Sequence, residues 1–205
     1  QDAWLLPDTI EKLIAAQKQH PEYLVLSPLQ MNTEQGGVEK QFNVYVHRFK
    51  VDVSAQDIQD VEFCNAALWL LAIQGIKIVG GFDPIFPHYG EDTDFLQRVT
   101  FYKGKIGILP IAKAYHERSE QVTQSEEKKI YTMQLVYMGI LKNINHSMSL
   151  CICQLFLYVL IRVSKCICRL QFSKIRIYLR ALVKLQGKYA EIKKRRNLTR
   201  VQPMY

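Results

Sequence analysis

No glycine-rich phosphate loop occurs in the 205 residues, so the sequence offers neither a P-loop nor a dinucleotide fingerprint. The five cysteines are an odd number, which argues against a disulfide framework and fits a reducing compartment. Cys151, Cys153, Cys166 and Cys168 form two C-x-C pairs in apolar helical sequence. Residues i and i+2 of a helix face different ways, so these read as buried or membrane-facing thiols and not as a zinc quartet. Acid is scarce in the second half. Residues 1–100 carry 7 Lys/Arg against 14 Asp/Glu, residues 101–205 carry 20 against 5, and the whole chain has a formal charge of +8. Halves of opposite sign call for different partners.

The densest stretch is VGGFDPIFPHYGEDTDFLQR, residues 79–98. It joins a glycine turn, a loop of prolines and aromatics, and the acids Glu91, Asp92 and Asp94. A helix pattern follows through Phe95, Leu96, Val99 and Phe101, with Gly104 as its expected stop. Clustered carboxylates repel one another and need a cation or a shared proton. Acids in a first helical turn also complement the helix dipole, and the spacing alone leaves both readings open.

Ahead of this stretch, Asp8 and Glu11 predict a capping box, with Ile10, Leu13 and Ile14 as the buried stripe of a helix. Residues 23–26 predict a short strand. Residues 42–53 alternate as an edge strand would, which places His47 in a strand, and residues 63–73 read as a buried run.

GGFDPIFPHYGEDTDFLQR resembles the acceptor-side signature of the family 2 glycosyltransferases, a GGFDE-type turn followed by a YGED-x-D block. CNAALWLL upstream and GKIGILPIAKAYHERS downstream extend the resemblance over residues 1–119. The resemblance implies an inverting transfer of a sugar from a nucleotide-sugar donor to a glycan or lipid-linked acceptor, in cell-surface polysaccharide synthesis. Asp92 matches the general base, with Glu91 and Asp94 orienting the acceptor or holding the loop; Asp94 is equally a helix-start acid. Gly80, Gly81, Phe82, Asp83, His88 and Tyr89 match the acceptor-binding turn and loop. Mg²⁺ or Mn²⁺ is implied to balance the departing diphosphate, with Asp2 and His116 as its ligands. The Gln-x-x-Arg-Trp motif of processive relatives is missing, which favours one addition per encounter. Nucleotide-binding βαβ units would precede Asp2 in this family, so the chain is expected to be the C-terminal portion of a longer enzyme.

Beyond Ser119 the character changes. Residues 130–141 have an apolar helical pattern, and residues 143–161 hold no Asp, Glu, Lys or Arg, enough in length to cross a bilayer. Arg162, Lys165, Arg169, Arg176, Arg180 and Lys184 then recur on one face of a single expected helix, with Ile167, Tyr178, Leu182, Leu185 and Tyr189 on the other. From Lys142 onward there are 14 basic residues and one acid, Glu191. That pattern suits an anionic membrane surface, or a solvated helix packed on its own domain. No nucleic-acid motif accompanies the charge. Lys193 and the tail after it read as disordered or lipid-touching.

The expected fold class is α/β: a partial GT-A (Rossmann-like) domain over residues 1–119, followed by a basic helical appendage over residues 120–205. Its expected place is the cytoplasmic face of the membrane, and a homo-oligomer is left open. The competing expectations are a non-catalytic acceptor- or membrane-binding module without a donor half, and a metal-dependent hydrolase using the same carboxylates.

Overall fold

A computed structural model describes residues 3–32, 36–117 and 124–201 of a mixed α/β chain. Its elements are β1 (Ala3–Leu5), α1 (Thr9–Gln19), β2 (Tyr23–Met31), α2 (Phe42–Phe49), β3 (Gln59–Asp60), β4 (Leu70–Leu71), α3 (Ile73–Val79), α4 (Glu91–Phe101) and β5 (Lys105–His116). Four helices follow: α5 (Glu126–Lys142), α6 (Met148–Cys168), α7 (Phe172–Gln186) and α8 (Tyr189–Val201). The chain divides into two compact units, Gln1–Gly80 with Val99–Glu120, and Gly81–Arg98 with Gln121–Tyr205. Residues Gly81–Arg98, most of the signature segment, are grouped with the C-terminal helices.

The first unit is built on a mixed sheet of order β1-β5-β2-β4, with β3 also pairing β5. β2 and β5 run parallel, while β1, β3 and β4 pair antiparallel. Every residue of β2 except Met31 is buried, which explains its run of apolar residues without alternation. The register of β2 on β5 slips between Pro28 and Leu29, opposite Pro110–Ala112. Proline lacks the N–H that a ladder needs, so a strand pair holding Pro28 and Pro110 breaks register there. Leu13, Tyr23, Leu26, Leu109 and Ala112 form the core of this sheet and α1. β2 runs five residues beyond the strand expected over residues 23–26.

Three local expectations are corrected. Asp8 precedes α1 without a side-chain cap bond and instead pairs with Lys12 at 2.6 Å. Of the predicted stripe on α1 only Leu13 is buried; Ile10 and Ile14 are exposed. Residues 42–49 are helical and not a strand, so His47 sits on α2. The buried pair there is Phe42 and Val46, four apart, and the Glu39 carboxylate accepts the Gln41 and Phe42 N–H groups at 3.0 and 2.8 Å.

α4 stops as expected, but by a different residue. Lys103 adopts the left-handed conformation (φ 65°), and Gly104 donates its N–H to Val99 O at 2.9 Å. Glycine is needed at 104 for space, since a Cβ there would lie 2.3 Å from Leu24 Cδ1.

The second unit is a helical cluster around Ile85, Phe86, Ile130, Leu135, Tyr137 and Leu155. Ser125 and Ser147 cap α5 and α6 by accepting the N–H groups of Lys128 and Leu150. The single basic helix expected over residues 162–184 is two helices, broken at Leu170, which takes φ 55°. Arg162, Lys165 and Arg169 close α6. Arg180 and Lys184 of α7 pair with Glu126 and Glu127 of α5, each at 2.9 Å. The tail expected to be disordered is α8 as far as Val201, and Arg196 within it is buried, donating to the carbonyls of Leu141, Asn143 and His146.

Candidate functional site

From Gly81 to Arg98 the signature segment lies in the second unit, while Val79 and Gly80 belong to the first. Its loop begins after Gly80, whose φ of 83° follows α3, and ends at Gly90, whose φ of 89° precedes α4. A Cβ at Gly90 would sit 3.0 Å from the Phe86 ring, so both backbone and space demand glycine there. Tyr89 takes φ 69°, an uncommon conformation for an aromatic residue, immediately before the acids. Phe82, His88 and Tyr89 are exposed. The Phe82 ring lies 5.1 Å from that of Phe95, and the His88 ring 4.1 Å from that of Tyr89.

The carboxylates of this segment fall into two classes. Asp83 and Asp94 are buried among cations. Lys142 Nζ lies 2.8 Å from Asp83 Oδ2 and 2.5 Å from Asp94 Oδ1. Arg195 Nη1 lies 2.6 Å from Asp83 Oδ1, and Arg98 Nε lies 2.9 Å from Asp94 Oδ2. Arg98 also donates to Gly81 O at 2.7 Å, which ties the glycine turn to α4. Burial alone would push the Asp83 carboxyl up; the charge of Lys142, helped by the Ile85 N–H and Arg195, outweighs it and holds the carboxyl below its ordinary value. In this arrangement Asp83 and Asp94 have both oxygens committed to fixing the loop and helix. Asp83, expected to line the acceptor surface, is fully buried.

Glu91 and Asp92 form the second class. Neither has a cation partner among the described residues. Asp92 is half-buried, and its Oδ1 accepts the Thr93 N–H at 2.6 Å and the Thr93 hydroxyl at 3.3 Å. Burial pushes the Asp92 carboxyl above its ordinary value, and the neighbouring charge of Glu91 acts in the same direction. Glu91 Oε2 is buried without a hydrogen-bond partner among the described residues. An uncompensated acidic pair beside a strained aromatic loop is where a proton could be taken up.

His116 ends β5 in the first unit and is buried. Its Nδ1 lies 3.0 Å from Gln30 Oε1, and Gln30 Nε2 donates to Asn65 Oδ1 at 2.8 Å. The Gln30 amide oxygen beside Nδ1 fixes the orientation of the imidazole. Asp2, its expected partner, lies outside the described residues. No group of three His, Cys, Asp or Glu side chains suited to a metal ion occurs among the described residues. One imidazole does not by itself make a metal centre.

No protein-family model matches the sequence, and no curated protein matches it either. The assignment of the site therefore rests on its residues.

Three cations at the centre of the geometry are not apparent as such in the sequence: Arg98, Lys142 and Arg195. Arg98 carries a local signal, since it stands four positions after Asp94 on one helix face. Lys142 closes an apolar helix and is itself fully buried, which a lone lysine rarely is without a partner. Arg195 is 112 positions from Asp83, and nothing marks it out among so many basic neighbours.

Proposed function

We propose that this chain carries the acceptor side of an inverting family 2, GT-A-type glycosyltransferase, with Asp92 as the general base. The observation that carries the reading is the division of the signature carboxylates. Asp83 and Asp94 are neutralised by buried cations, whereas Asp92 is left without a counter-ion among the described residues and with its carboxyl pushed up. A sugar hydroxyl is a weak nucleophile at neutral pH, and a carboxylate with raised proton affinity is a better acceptor for its proton.

In the proposed reaction the acceptor hydroxyl oxygen attacks the anomeric carbon of a nucleotide sugar. Its proton passes to Asp92, and the bond to the nucleoside diphosphate breaks with inversion. Glu91 keeps the local field negative, which favours proton uptake by its neighbour. The exposed rings of Phe82, His88 and Tyr89 offer apolar faces against which a sugar ring can lie. The same family reading carries Mg²⁺ or Mn²⁺ with Asp2 and His116 as its ligands, as a proposal separate from the division of the carboxylates.

The experiment is nucleoside diphosphate release from UDP- and dTDP-linked sugars by the chain joined to a donor-binding half, with and without alkyl glycosides as acceptors. The expected result is acceptor-dependent release, lowered about 10²- to 10⁴-fold by Asp92→Asn, the usual range for loss of a general base. Equal release by the variant would remove Asp92 from the role. Release without acceptor would instead describe a hydrolase, and no release from any donor a binding module.

A further inference from the structure

α6 has its apolar residues on the wrong side for a helix in water. Its buried positions are Cys151, Leu155, Val159 and Cys166, spaced at four, four and seven, which is one narrow stripe. The opposite face should then be polar. It instead presents Leu150, Phe156, Leu157, Leu160 and Ile161 at 44–70% exposure, and no charged residue occurs in α6 before Arg162. The strip continues past the helix end with Leu170 and Phe172, exposed by 76% and 61%. An outward apolar face of this extent is characteristic of a surface covered by something else.

Charge identifies the cover. Arg162, Lys165 and Arg169 stand exposed in the last two turns and at the end of α6, just beyond the uncharged part of the helix, and no acid pairs with them among the described residues. The basic residues of α7 differ, because Arg180 and Lys184 are already occupied by Glu126 and Glu127. A second copy docked through the same face would bring the same basic turns to the interface without a carboxylate to meet them. From Lys142 onward the single acid is Glu191, which is engaged by Lys188 and Arg195. Anionic phospholipid supplies both requirements, acyl chains for the strip and phosphates for the basic turns.

The 21 residues of α6 would reach about 30 Å at the usual helical rise, so length alone permits a crossing. The buried stripe argues for the other orientation, because only one face of the helix is free to meet lipid. We infer that α6 lies in the plane of an anionic bilayer surface, with its apolar strip among the acyl chains and Arg162, Lys165 and Arg169 among the head groups. This claim stands apart from sugar transfer and survives or fails separately from it.

The test is co-sedimentation of the full chain with vesicles of phosphatidylcholine alone or mixed with phosphatidylglycerol. The chain should pellet with the mixed vesicles, and Phe156→Ser with Leu157→Ser should weaken that binding at least tenfold. Both side chains point outward, so the double variant should keep the circular dichroism and melting temperature of the parent. Arg162→Gln with Lys165→Gln should weaken binding to the mixed vesicles and flatten its salt dependence. A Phe156→Trp variant should be quenched by acyl-chain-brominated lipid. Failure of the parent chain to pellet, or unchanged pelleting of the serine double variant, would overturn the inference. So would a lipid-free dimer that the serine substitutions dissociate, which would assign the strip to a second copy.

Discussion

Asp92 and Lys142 show how position decides what a charge does in this chain. Lys142 is wholly buried between two carboxylates, and removing it leaves Asp83 and Asp94 with one cation each. Breaking a buried ion pair from one side costs about 3–5 kcal/mol, so Lys142→Ala should lower the denaturation midpoint by a corresponding amount. Wild-type stability in that variant would show the cluster to be dispensable.

Asp92 should behave in the opposite way. Its folded-state proton affinity is raised, so the folded chain binds this proton more tightly than the unfolded chain does. The contribution of Asp92 to stability is therefore present below its unfolded value and is lost as pH rises through the raised folded value. Asp92→Asn should then match or exceed the parent in melting temperature at neutral pH. Asp83 has a lowered folded value, and its contribution is present above the unfolded value and lost as pH falls through the folded one. Asp83→Asn should melt earlier than the parent at neutral pH, with the difference shrinking in acid.

At the scale of elements, the helices are more legible in the sequence than the strands. α4 and α5 follow from apolar spacing. Ser125 and Ser147 are recognisable caps once the helices behind them are known, and Ser147→Ala should cost α6 about 1 kcal/mol by thermal melting. α2 passes for a strand because Phe42, Val44 and Val46 alternate, although only Phe42 and Val46 are buried; the signal for a helix is Glu39, placed to receive the first N–H groups. The break at Leu170 has no glycine or proline to announce it, and a basic spacing of seven across it looks continuous. Gly90 is fixed by its backbone, at φ 89°. Gly90→Ala should destabilise the second unit by about 1–2 kcal/mol from the left-handed backbone alone, read from a denaturant midpoint.

Across the whole molecule, the acidic and basic halves read from the sequence as surfaces for separate partners. Part of that charge is instead internal. Lys142 and Arg195 from the basic half neutralise Asp83 and Asp94 from the acidic half, over separations no local pattern reveals. The carboxylates of the candidate site are legible as a cluster, but their division into held and unheld acids is not. That division also changes how the C-terminal region should be dissected. Deleting residues 162–205 would remove Arg195, together with the core residues Ala181, Leu185 and Ile192. Hydrogen exchange across residues 81–98 should rise on such a deletion, so point substitutions on α6 separate lipid binding from folding where truncation does not.

The most direct measurement is made on Asp92→Asn and Asp83→Asn side by side, in the chain joined to a donor-binding half, with melting temperature and acceptor-dependent nucleoside diphosphate release recorded for both. The account predicts a crossed result: Asp92→Asn keeps its melting temperature and loses release, and Asp83→Asn loses melting temperature first. A fully folded Asp92→Asn protein releasing diphosphate at the parental rate would contradict it.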